Sequence, residues 1–143
     1  MRCDGSAAGP SSGSPDASAL QQFWLTDYIP EVVVVEQTRF PTLKQVTDAL
    51  AQGSAEVRVD VVPVPRDCSD GFGEAFYARP EALLRPEVRA ASSGLVLIDP
   101  AAVQRGLNRL EDDLASGAWD RAYGHLREQA ERIGALRLIT AST

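Results

Sequence analysis

Residues 42–65, TLKQVTDALAQGSAEVRVDVVPVP, change their apolar period part-way along. Thr42 followed three residues later by Gln45 is a capping-box pattern that opens a helix. Leu43, Val46 and Leu50 then fall on one face at helical spacing, and Gly53 is a stop. Beyond it the period drops to two. Val57, Val59 and Val61 alternate with Arg58 and Asp60, as in a half-buried strand. Pro63 and Pro65 cannot donate to a ladder, so they confine the far end of that strand to a sheet edge or to a position beyond pairing. A helix leading directly into a strand makes the chain mixed α/β.

On the N-terminal side, Phe23-Trp24-Leu25-Thr26-Asp27-Tyr28-Ile29-Pro30-Glu31 is rich in aromatics and must pack on something. Val32–Val35 follows, and four valines read as strand by propensity. Pro30 and Glu31 equally suit the opening of a helix, and both readings stand. On the C-terminal side, residues 66–80 cluster Asp67, Ser69, Asp70, Gly71 and Gly73 and read as loop. From Pro86, a helix carrying Val88, Ala91, Leu95 and Ile98 competes with a strand at Leu95–Ile98. Asp99-Pro100 is a clearer start, an N-cap acid followed by proline at the first helical position. Val103, Leu107, Leu110 and Leu114 continue it to Gly117. Trp119 and Tyr123 stand one turn apart and are expected to pack together. Residues 135–140 read as a final strand.

Residues 1–18 hold Gly, Ser, Ala, Pro and Asp around the single large apolar Met1. Such a composition cannot offset its ordering entropy, and a disordered tail is expected through residue 19. The 143 residues amount to one domain, 44% hydrophobic and 24% charged, an ordinary globular balance. The net charge of −6 argues against nucleic acid as a partner. No apolar run approaches the ~20 residues of a membrane span, and no signal-peptide core is present. With Cys3 in the tail and Cys68 elsewhere, a reducing cytoplasmic setting is expected.

Chemistry-bearing motifs are sparse. Gly71-Phe72-Gly73 has Phe76 where a third nucleotide-binding glycine would stand, and no strand–loop–helix frame surrounds it. One histidine, His125, and no C-x-x-C pair leave no metal site. A Cys68–His125 nucleophile pair has no supporting feature. Cys68 reads as a packing or cleft-lining thiol, and His125 as a helix-end residue or a contact of the aromatic pair. Arg79-Pro80-Glu81 and Arg85-Pro86-Glu87 read as two helix openings. The sharper alternative has Arg79 pairing with an anionic ligand group.

Taken in order, these landmarks resemble a known family. They are the Phe23–Glu31 stretch, Arg39-Phe40-Pro41-Thr42-Leu43, the valine strand, Pro65–Phe72, Arg79-Pro80-Glu81, Leu114–Asp120 and Tyr123–Arg127. As a set they are similar to the C-terminal portion of actinobacterial-type class I methyltransferases of the type 11 kind, over about residues 20–141. The resemblance implies a partial Rossmann-like domain at 20–143, with residues 57–64 and 135–140 as an antiparallel edge hairpin and 66–98 as an insertion over the substrate pocket. It implies S-adenosylmethionine as cofactor and a small-molecule methyl acceptor. The family's glycine-rich first turn and ribose-binding acid match nothing here, so no cofactor contact carries over. Tyr28, Asp67, Cys68, Asp70, Phe72, Tyr77, Arg79 and His125 are the pocket candidates, led by the Asp67–Phe72 loop at a strand end.

Three expectations follow from that departure. The chain is a remnant inactive alone, or a subunit whose cofactor half comes from a separate chain, or a non-catalytic module that binds a partner or ligand. A sheet cut in its middle exposes an unpaired edge, so marginal stability or self-association is also expected.

Overall fold

The computed structural model describes residues 11–53 and 56–142. Its sheet is antiparallel, in the order β1 (Ser11–Pro15), β3 (Glu131–Ser142), β2 (Glu56–Pro65). The pairing of β2 with β3 contains the expected hairpin strands. The register runs from Glu56 opposite Ser142 to Val61 opposite Arg137, then resumes at Pro63 opposite Ile133. Two steps along β2 therefore match four along β3, and β3 bulges over Gly134–Leu136. Pro63 and Pro65 are tolerated because β2 lies at the edge of the sheet.

The helices are α1 (Ala17–Leu20), α2 (Leu25–Tyr28), α3 (Glu31–Arg39), α4 (Leu43–Ala51), α5 (Pro86–Ala90), α6 (Ser93–Val96), α7 (Pro100–Ser116) and α8 (Ala118–Tyr123). Short 3-10 turns occupy Gly73–Phe76, Pro80–Leu84 and Gly124–Glu128. The capping box of α4 is complete. Gln45 N–H donates to Thr42 Oγ1 at 3.2 Å, and Thr42 N–H donates to Gln45 Oε1 at 2.8 Å. Asp99 caps α7 by accepting from Ala101 N–H at 3.2 Å, and Gly117 ends that helix at φ 78°, a left-handed conformation that glycine adopts without strain. Leu107 and Leu110 of α7 are buried, as their spacing required.

The core is an aromatic knot under α7 and α8. Trp24 meets Trp119 edge-on at 5.5 Å and Phe23 at 5.1 Å, and Trp119 packs on Tyr123 at 5.7 Å. A close approach of helices frames it. A Cβ on Gly106 would lie 2.6 Å from the carbonyl oxygen of Tyr28, so α7 can cross the end of α2 only with glycine there.

One open reading is resolved, and several expectations need correction. Val32–Val35 is helical, within α3. Pro30 stands at its N-cap and Glu31 in its first turn, and Val32 is its buried residue, so the charge and ring at the start outweigh the β-propensity of the valines. Residues 86–98 form neither one helix nor a strand. They form α5 and α6, which break at the extended Ser92. The strand β2 buries a different phase from the one its valines suggest. Val59 and Val61 are exposed while Val64 is fully buried, because the bulge opposite Val62 shifts the inward set. The tail is not disordered throughout. Residues 11–15 pair with β3 from Ser11 opposite Thr140 to Pro15 opposite Leu136, and Asp16 N–H donates to Ala135 O at 2.7 Å. Backbone pairing, which needs no apolar side chain, supplies the ordering that composition could not. Residues 1–10 lie outside the described part.

Candidate functional site

A cavity of about 270 Å³ opens between the bulge of β3, the loop after β2, and helices α3 and α6. Its walls are mostly hydrocarbon, with Phe23, Leu25, Val32, Phe40, Phe72 and Leu95 prominent. Gly71 and Gly73 bring the loop backbone close to neighbouring elements. A Cβ on Gly71 would run into the Ala91 carbonyl.

One acid enters this apolar space. Glu74, on the 3-10 turn, is 4% exposed. Its Oε2 accepts from Ala135 N–H at 2.9 Å, a donor that the bulge turns away from the ladder. Its Oε1 is buried without a hydrogen-bond partner. Burial pushes the carboxyl above its ordinary value, and this outweighs the Ala135 N–H, Arg132 and Arg137, which pull it down. Gly134 makes the room, since a Cβ there would collide with the Glu74 carboxylate. At the other side of the cavity Arg39 pairs with Glu36 at 2.9 Å and donates to Ser93 Oγ at 3.0 Å. Among the described residues no group of three His, Cys, Asp or Glu side chains could hold a metal ion. No helix there is long and apolar enough to cross a membrane.

Of the residues singled out from sequence, Phe72 lines this cavity. The others stand elsewhere. Tyr28 is buried, with its hydroxyl donating to Asp113 Oδ2 at 2.7 Å and Arg109 over its ring at 5.1 Å. Desolvation and Asp113 push its phenol well up, which makes it a clamp between α2 and α7. Tyr28→Phe is expected to cost about 1 kcal/mol in urea denaturation, the net worth of one hydrogen bond. Tyr77 is fully buried. Its hydroxyl donates to Gln129 O at 2.7 Å, and its own carbonyl accepts from Trp24 Nε1 at 3.0 Å.

Arg79 is engaged within its own loop. Its guanidinium donates to Cys68 O at 2.5 Å and Ala75 O at 3.1 Å and lies over Phe76, so it holds its own loop together. Cys68 is fully buried, whereas His125 and Asp67 are exposed and Asp70 is half-buried. The structure therefore does not gather the polar candidates around one cavity. Glu74 was absent from the candidates read from sequence. The signal available was a lone acid within the otherwise apolar run Phe72–Ala78, with Gly134 in the last strand to accommodate it.

Neither a family model nor a curated protein matches the sequence. A solved structure does. It is a protein of Anabaena variabilis provisionally described as a methyltransferase from an antibiotic biosynthesis pathway. The two are 32% identical and superpose with a TM-score of 0.81 over 92% of this chain and 53% of that protein. This chain has a methyltransferase fold and spans about half the length of the relative that shows it.

Proposed function

We propose that this chain supplies the methyl-acceptor side of an S-adenosylmethionine-dependent methyltransferase, as the C-terminal part of a Rossmann-like domain working in the cytoplasm on a small molecule. The observation that carries the reading is the apolar cavity with its buried Glu74, built within a fold shared with the Anabaena protein.

This cavity does not fit the cofactor. The cavity lies below the ~300–1,000 Å³ usual for sites of drug-sized ligands. Its walls are hydrocarbon, and its one buried acid is tied to Ala135, which suits neither a ribose nor a charged amino-acid end. The cofactor is held by polypeptide other than the described residues. A ligand-binding module without catalysis is the second reading, and the same apolar cavity supports it.

Calorimetric titration of the folded chain with S-adenosylmethionine and S-adenosylhomocysteine is the test. No saturable heat is expected. Saturable binding of either would put a cofactor site among these residues and overturn the acceptor-side placement.

A further inference from the structure

The cavity has one charged corner, and both of its charges remain accessible. Glu36 and Arg39 of α3 line the space, with side chains 16% and 27% exposed. Arg39 Nη1 donates to Glu36 Oε1 at 2.9 Å, and Nη2 donates to Ser93 Oγ at 3.0 Å. Two of the five guanidinium N–H donors are thus engaged. The guanidinium lies 5.0 Å over the ring of Phe40, itself part of the wall. Among the described residues, neither Glu36 nor Arg39 has a polar atom sealed away without a partner. Gly94 leaves the corner its room, since a Cβ there would lie 2.5 Å from Glu36 Oε1. The other ionisable wall residue, Glu74, spends Oε2 on Ala135 N–H and turns Oε1 against Gly134, which is not part of the wall.

We infer that the cavity binds a compact uncharged molecule, an aromatic or short aliphatic body whose single hydroxyl sits at the Glu36–Arg39 pair. Under the reading of the cavity as acceptor pocket, on which this rests, the acceptor is an alcohol or a phenol. A hydroxyl both donates and accepts, so it serves Glu36 Oε2 and a spare guanidinium N–H together. An ammonium pairs with Glu36 and meets like charge at Arg39. A carboxylate pairs with Arg39 and meets like charge at Glu36. Either ion also gives up water for hydrocarbon walls, at a cost that a neutral group avoids. Size agrees. An apolar cavity of about 150 Å³ holds benzene, so about 270 Å³ accommodates a ring with a short side chain.

Probes of nearly equal size separate the contributions. They are 2-phenylethanol, 2-phenylethylamine and phenylacetate, with propylbenzene as the reference for burial alone. Each is titrated at pH 7 into the ¹⁵N-labelled chain without cofactor and followed by NMR shifts of the Phe72, Ser93 and Gly94 amides. In the wild-type chain 2-phenylethanol is expected to bind at least ~10-fold more tightly than either ion. Glu36→Gln leaves the guanidinium uncompensated, so phenylacetate should gain at least ~10-fold and the amine should not. Arg39→Gln leaves the carboxylate, so the amine should gain and phenylacetate should not. Glu36→Leu combined with Arg39→Leu should weaken the alcohol relative to propylbenzene by ~10-fold. The pair is a partly exposed i,i+3 contact on one helix, so the single variants are expected to fold.

A charged probe that binds the wild type as tightly as the alcohol would overturn the inference. So would single variants that leave the order of the two ions unchanged, a double variant that leaves the alcohol-to-propylbenzene ratio unchanged, or no shift from any probe in a chain shown to be folded. If the double variant does not fold, the two single variants carry the comparison. The readouts are independent of the proposed function. Saturable S-adenosylmethionine binding would remove the acceptor-side placement while leaving the probe preference intact, and a failed probe preference would leave that placement untouched.

Discussion

Trp24→Ala is expected to destabilise the chain by about 3–5 kcal/mol, the range for truncating a buried aromatic. Trp24 is 2% exposed and makes contacts in three directions. Its ring stands edge-on to Trp119 at 5.5 Å and to Tyr28 at 6.1 Å, and is tilted against Phe23 at 5.1 Å. Its Nε1–H donates to Tyr77 O at 3.0 Å, tying α2 to the loop that carries Glu74. Small domains are stable by about 5–15 kcal/mol, so the loss is a large share of the total. Urea denaturation followed by far-ultraviolet circular dichroism measures it.

Trp119 offers the internal comparison. It is equally buried, yet its Nε1 has no hydrogen-bond partner. Trp119→Phe should therefore cost less than Trp24→Phe, because only the second leaves a buried carbonyl without its donor. Equal losses would mean that the bond to Tyr77 contributes nothing, and a loss under ~1 kcal/mol for Trp24→Ala would mean that the aromatic knot is not the core.

Those aromatics were visible in the sequence as a group that had to pack, and the knot they form follows from that. What was legible elsewhere was local. The Thr42/Gln45 box, Asp99-Pro100 and Gly117 each specify a helix end through atoms within a few residues, and each is found as expected. The pairing of residues 57–64 with 135–140 followed from the period of two together with the resemblance. Features that depend on distant partners were not legible. The phase of β2 is set by extra residues in β3, which no pattern within 56–65 records. The segment Ser11–Pro15 is poor in strand formers and becomes a strand because β3 offers it an edge. The valines of α3 read both ways until their neighbours decide.

The candidate site shows the same division. Polarity and glycine drew attention to the Asp67–Phe72 loop, and Phe72 and the glycines beside it do line the cavity. The charged residues of that stretch do not. Arg79-Pro80-Glu81 read first as a helix opening; a 3-10 turn does start at Pro80, and Arg79 satisfies the Cys68 and Ala75 carbonyls. Glu74 was passed over because its burial depends on Gly134, sixty residues on, where the absence of a side chain makes the space.

Glu74 also predicts how stability responds to pH. Burial holds its carboxyl above the ordinary glutamate value of 4.5, while Arg132 and Arg137 on β3 oppose that shift. Glu36 and Arg39 share the cavity, and they are paired with each other. Between the ordinary value and the raised one, the folded chain binds more protons at this site than the unfolded chain. Stability therefore falls as pH rises through that interval. The contribution of Glu74 is fully present below the unfolded value and is lost once the folded carboxyl ionises.

Asp16 runs the other way. Its carboxyl is held low, chiefly by the Ser18 hydroxyl, so it contributes stability that is lost on acidification. Comparing Glu74→Gln with the wild type at each pH cancels Asp16 and every other distant carboxylate. In urea titrations the stability of the variant relative to the wild type should rise as pH passes above the ordinary glutamate value and level off once the folded carboxyl has ionised. A flat difference would mean that Glu74 ionises as freely in the folded chain as in the unfolded one.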